Sequence, residues 1–162
     1  MHGVIILSLS THPHTTMAPS EFYVRLQKGI VGGFAPPTPD AVYSVSKSND
    51  QGHLLVSAAV RPEGTPEVQN AAPKQLNHDD DTGKLVGELE SILKEIPTEQ
   101  PPGSEDIYGL NTGIAWGSSD LEWANGGPAG CSGGTSTVKA TEEDKKKFKR
   151  AVEIVEQLVN KA

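Results

Sequence analysis

Three groups of residues in this chain have types and spacings that could do chemistry. The first, Gly130-Cys131-Ser132-Gly133-Gly134, spells G-x-S-x-G, the pattern that raises a serine nucleophile on a strand-to-helix turn. Its flanks are Asn125-Gly126-Gly127-Pro128 and Thr135-Ser136-Thr137, which read as loop and linker. Cys131 as a nucleophile would need a neighbouring base. His53 and His78 fall in a hairpin and a loop, with nothing to bring them close. A hydrolase using Ser132 or Cys131 is therefore an alternative reading only. The second group, Asn77, Asp79, Asp81 and Glu88, takes positions one, three, five and twelve of a calcium loop. Thr82 then stands at position six, where the sharp turn needs glycine, and acidic residues at a helix N-terminus account better for the run. The third group is the five histidines, which show no helical His pair and no Cys/His spacing for zinc. The expectation is a chain with no catalytic residue, no metal and no cofactor.

Composition narrows the class further. A chain of 162 residues has room for one core. With 35% hydrophobic residues, 17 Gly and 12 Pro, that core should be modest and its connections long. A net charge of −7 speaks against nucleic acid, whose phosphates require a basic face. Lys145, Lys146, Lys147, Lys149 and Arg150 sit inside an otherwise acidic helix, as a solvated face would. A single cysteine allows no internal disulfide and fits a reducing, cytoplasmic setting. No apolar run reaches the roughly 20 residues of a membrane span, so no membrane partner is expected. Val4–Leu9 resembles a signal-peptide core but is short and lacks a basic flank. Residues 1–19 are expected to be a disordered leader, with secretion as the alternative.

The elements that must position any site follow from periodicity. Phe22, Val24 and Leu26 alternate with Tyr23, Arg25 and Gln27, the period of a half-buried strand. Ala41, Tyr43 and Val45 alternate in the same way, and so do Leu54, Val56, Ala58 and Val60. The turn formers Ser48-Asn49-Asp50-Gln51-Gly52 between them predict a hairpin. Residues 61–80 have no periodicity and read as a long surface loop. Leu85, Val86, Leu89, Ile92, Leu93 and Ile96 mark one face of a helix, capped by Asp81 or Thr82 and ended by Pro97. A second alternation runs from Ile107 to Trp116, with small residues on one side. That side should lie under a helix or another backbone. Leu121–Ala124 forms a short returning strand, and residues 125–134 a flexible glycine-rich loop. Thr141 and Asp144 approximate a capping box for a last helix buried through Phe148, Ala151, Val152, Val155, Leu158 and Val159. The order predicts an α+β fold, one antiparallel sheet with two helices packed on one face, over residues 20–162.

The stretch from Phe22 to Ala35 organises this plan. Its strand runs into Gly32-Gly33, where positive φ costs little, then into Phe34-Ala35 and the stiff Pro36-Pro37-Thr38-Pro39. A large ring between glycines and prolines reads as a presented contact. Trp116 and Trp123, flanking a turn, are expected to be core rings. If exposed, they would instead form the binding hairpin of a generic interaction domain, together with residues 125–134.

The layout resembles the emfourin family, small bacterial inhibitors of protealysin and related thermolysin-like metalloproteases. That family opens with a strand bearing a charged residue and a GGFAG-like segment, as in Arg25 and Gly32-Gly33-Phe34-Ala35. A helix and a proline-rich connector follow, similar to Leu85–Ile96 and Pro97–Pro102, then an Asp-led hairpin like Asp106-Ile107-Tyr108 and a closing helix. Pro36 replaces the family's glycine, and the 47–80 region is expanded. The resemblance implies a non-enzymatic inhibitor that contacts its protease partner through Gly32, Gly33, Phe34, Ala35, Pro36 and Pro37. Oligomeric state is not implied.

Overall fold

Alternating apolar residues build the sheet, and each strand finds its neighbour by burying the same face. The computed structural model describes residues 18–30, 39–62, 64, 68–126 and 134–161. Chain order is β1 (Phe22–Lys28), β2 (Ala41–Lys47), β3 (His53–Val60), β4 (Gln69–Asn70), β5 (Lys74–Asn77), α1 (Asp80–Glu95), β6 (Thr112–Ser118), β7 (Glu122–Ala124) and α2 (Glu142–Asn160). The seven strands form one sheet in the order β4-β3-β2-β1-β6-β7, with β5 also on β3. Every pairing is antiparallel. The fold is α+β, as the order of periodicities predicts.

Registers carry the alternation across the sheet. Val24 lies opposite Val45 on one side and Trp116 on the other, and Val45 lies opposite Val56. These residues, with Phe22, Leu26, Leu54 and Ile114, belong to one buried cluster with the apolar faces of both helices. The opposite face presents Tyr23, Arg25, Ser44, Ser46, Leu55, Ala115 and Gly117, which are half-buried or exposed. The helices thus occupy one side of the sheet and leave the other open.

Local chemistry fixes both helix starts. Thr141 Oγ1 accepts from Asp144 N at 3.1 Å and Asp144 Oδ2 accepts from Thr141 N at 3.0 Å, a complete capping box. The N-cap of α1 is Asp79, two or three residues earlier than the expected Asp81 or Thr82, and its Oδ1 accepts from Thr82 N at 2.8 Å. That bond, with Lys161 nearby, holds the Asp79 carboxyl below its usual range. Asp80 and Asp81 lie in the first turn, where the helix dipole favours negative charge. Among the described residues no cluster of His, Cys, Asp and Glu could hold a metal.

Two expectations about the connections are corrected. Residues 61–80 are not uniform loop, because β4 and β5 lie within them on the edge of β3. Between Asn70, opposite Ala59, and Lys74, opposite Val56, the three residues Ala71, Ala72 and Pro73 face only Ser57 and Ala58. This is a one-residue bulge at a proline that cannot donate to the ladder. The alternation from Ile107 also does not begin a strand, since β6 starts only at Thr112. Asp106 captures the segment before it, its carboxylate accepting from Gly109 N at 3.1 Å and Asn111 N at 2.9 Å. The turn frees Tyr108 to stack on Phe148 at 4.2 Å. The small side of β6 faces the open side of the sheet. Of the two expected covers, a helix or another backbone, it has the second at Gly113, where a Cβ would lie 3.0 Å from the Asn125 carbonyl.

The helices run antiparallel, as the ion pairs Asp79–Lys161, Glu88–Arg150 and Glu95–Lys147 show by their order. Arg150 grips Glu88 with both arms, at 2.8 and 3.1 Å, and this holds the Glu88 carboxyl below its usual value. A carboxyl whose folded value is depressed adds stability above its unfolded value and loses it as pH falls through the folded one. Both side chains are more than a third exposed, so screening limits the pair to about 0.2–1 kcal/mol. Arg150→Met should therefore lower stability by that amount at about pH 7 and by almost nothing at about pH 2, read from urea midpoints at the two pH values. An equal loss at both would assign the effect to packing of the arginine stem instead.

Candidate functional site

The end of the sheet where β1 hands over to β2 is tightly pinned. Gly29 N donates to Asn111 O, and Ile30 N donates to Asn111 Oδ1, both at 2.8 Å. Asn111 takes φ +52°, a left-handed conformation that Asn tolerates better than most residues. Asp106 holds its amide from behind. On the return, Asp40 N donates to Lys28 O and Arg61 N to Asp40 O, each at 2.8 Å. The Arg61 guanidinium also bonds the Asp40 carboxylate. Lys28 reaches Glu156 on α2, and that hydrogen bond raises the ammonium's pKa.

A second anchored segment starts beside the first. Asn125 closes β7 through three bonds: its N donates to Ile114 O at 3.1 Å, its Oδ1 accepts from Ile114 N at 2.7 Å, and its Nδ2 donates to Thr112 O at 3.2 Å. This brings the Asn125 carbonyl so near β6 that a Cβ on Gly113 would lie 3.0 Å from it. Gly126, at φ +70°, sits against Ile30, and a Cβ there would come 3.3 Å from Ile30 Cδ1. The chain leading into 31–38 therefore touches the chain leading into 127–133.

A buried carboxylate ties this root to the proline-rich connector. Glu99 is 1% exposed, and its Oε1 accepts from Gly126 N at 2.8 Å and Gly103 N at 3.0 Å. Its Oε2 has no hydrogen-bond partner among the described residues. Just before α2, Ser136 Oγ accepts from Gln100 N at 2.9 Å, and Ser136 N donates to Glu105 Oε2 at 2.8 Å. Lys139 bonds the same carboxylate and does most to depress its pKa. Tyr108 donates to Pro97 O. Burial pushes its phenol well up, with the charges of Asp144 and Glu99 adding to the effect.

On the open face beside Ile30 and Gly126 lies a recess of about 190 Å³, bounded also by Arg25, Gln27, Ala115 and Ala124. Arg25 Nη1 donates to Gln27 Oε1 at 3.0 Å, and Gln27 Nε2 donates to Gly29 O at 3.3 Å. The relay fixes the amide and, through it, the guanidinium. The nine residues that line the recess include no nucleophile and no group that exchanges protons near neutral pH.

The expected contact residues fare differently. Gly32, Gly33, Phe34, Ala35, Pro36 and Pro37 lie outside the described residues, as do Cys131 and Ser132. Trp116 and Trp123 are 3% and 8% exposed. Trp116 stacks on Phe22 at 5.2 Å and donates to Ser118 Oγ, while Trp123 donates to Ile96 O at 3.1 Å. The core reading of both rings holds, and as the aromatic surface of an interaction hairpin they are corrected, since no large ring surface reaches solvent. Sequence reasoning missed Glu99, Asn111 and Asn125. Asn125-Gly126 does carry a turn signal, but a fixed anchor depends on partners far along the chain.

No protein-family model, curated protein or solved structure matches this chain. Among the described residues no helix is long and apolar enough to cross a membrane.

Proposed function

We propose that this protein is a non-enzymatic protein-binding domain that inhibits a thermolysin-like metalloprotease, with Phe34 in the segment Gly32–Pro37 as its apolar anchor. One observation carries most of the weight. Ile30 packs against Gly126, so two glycine-rich segments begin side by side on a hydrogen-bonded end of the sheet. A paired root of this kind suits recognition of a concave partner, because ordering entropy is lost beforehand. The likeness of Arg25 and Gly32-Gly33-Phe34-Ala35 to the emfourin pattern supports the choice of partner. Such proteases favour bulky apolar groups beside the cleaved bond, which suits Phe34. The single Cys131 supports a reducing, cytoplasmic setting.

The purified chain should inhibit thermolysin or a protealysin-type enzyme in a peptide-cleavage assay. Phe34→Ala should weaken inhibition by about 30-fold or more, the loss typical of an aromatic hot spot. Failure to inhibit either enzyme, or full potency in Phe34→Ala, would remove the reading.

A further inference from the structure

Of the chain's three arginines, two are committed to carboxylates, Arg61 to Asp40 and Arg150 to Glu88. Arg25 has no carboxylate partner among the described residues, in a protein of net charge −7. It stands at the centre of the open sheet face, opposite Ser44 on β2 and Ala115 on β6. Among the described residues only its Nη1 is engaged, with Gln27, and Gln27 is itself 8% exposed and bonded to Gly29 O. The guanidinium is therefore positioned from below while most of its five donors remain available.

The surroundings are shaped to receive a group over it. The recess of about 190 Å³ beside Arg25 has apolar walls from Ile30, Ala115 and Ala124. A carboxylate entering there would exchange water for a planar, bidentate partner in a site with little competing polar surface. Through Ala115 and Ala124 the recess adjoins a shallower channel between Tyr23 and Glu122, which in turn runs past Gly117 to Ser118 and Ser119. The floor thus follows β6 from Gly113 to Ser118, six residues or roughly 20 Å at strand rise. A lone small anion would fill only one end of it.

We propose that the recess beside Arg25 binds a carboxylate carried by an extended, otherwise uncharged polypeptide segment lying along β6 on the open face of the sheet. The proposal goes beyond the protease reading and uses none of residues 32–37, so it can stand or fall alone.

The test titrates isotope-labelled full-length protein, followed by amide and Arg Nε–H resonances. The probes are an end-capped Ser/Ala hexapeptide carrying one Glu at its last position, the same peptide with Gln, and sodium acetate at matched ionic strength. The Glu peptide should shift Gly113, Ala115, Ala124, Gly126 and Arg25 Nε saturably, binding at least about tenfold tighter than the Gln peptide. Arg25→Gln should abolish that preference. Ala124→Leu, at an exposed position outside the core, should weaken binding by filling the recess while leaving the guanidinium intact. Equal affinity for the two peptides, or an undiminished preference in Arg25→Gln, overturns the carboxylate site. Acetate binding as tightly as the Glu peptide overturns its assignment to a polypeptide.

Discussion

Replacing Phe148 by alanine is expected to cost about 3–5 kcal/mol, the range for a large buried aromatic, and to lower Tm by roughly 10 °C in a chain this long. The ring is fully buried. It stacks on Tyr108 at 4.2 Å with 15° between planes, and Trp123 lies 6.3 Å away. Three elements meet there: α2, the Asp106-led turn and β7. Removing the ring would leave a void bordered by two aromatic rings that are each held by a hydrogen bond, Tyr108 to Pro97 O and Trp123 to Ile96 O. Those bonds oppose collapse into the void, which places the cost toward the upper part of the range. Urea unfolding followed by tryptophan fluorescence measures it, and a loss below about 1 kcal/mol would mean that the site relaxes freely.

The parts of the fold legible in the sequence are those whose cause is local. The α2 helix announces itself because its cap and its apolar stripe both lie within one segment, Thr141 to Val159. The hairpin of β2 and β3 is legible because alternation on both sides frames a dense run of turn formers. The edge strands were not legible. Gln69-Asn70 and Lys74–Asn77 carry no pattern of their own, and they are strands only because β3 offers an unpaired edge. Alternation from Ile107 misleads for the opposite reason. Its period is real, yet the Asp106 carboxylate competes for the backbone amides and wins.

At the candidate site the division is similar. Arg25 lies opposite Phe22, Val24 and Leu26 in the alternation, so its place on the other face of the strand could be read directly. The recess beside it could not, because its walls include Ala124 and Gly126, about a hundred positions away in sequence. Neither could its lack of a carboxylate partner among the described residues, which depends on how the whole chain folds. Glu99 sits in a Pro/Gln connector that reads as a spacer, and only the folded chain shows its carboxylate beneath two turns.

That carboxylate leads to the second large effect. Glu99→Ala is expected to destabilise by about 2–4 kcal/mol, because Gly103 N and Gly126 N both lose their acceptor in a buried setting, at about 1–3 kcal/mol for each unpaired donor. The gain from no longer burying a charge offsets part of this. Glu99→Gln separates the two contributions. The amide oxygen can take over both bonds now made by Oε1. The new NH₂ group replaces Oε2, which has no partner among the described residues to lose. Its loss should therefore stay within about 1 kcal/mol, with the unpaired NH₂ opposing the relief of charge burial. Amide exchange gives a local readout, since Gly103 and Gly126 should lose protection in Glu99→Ala and keep it in Glu99→Gln. Equal destabilisation by both variants would show that the negative charge itself holds the root of the second glycine-rich segment. A small loss in both would show that Asn125 and Ser136 suffice to hold it.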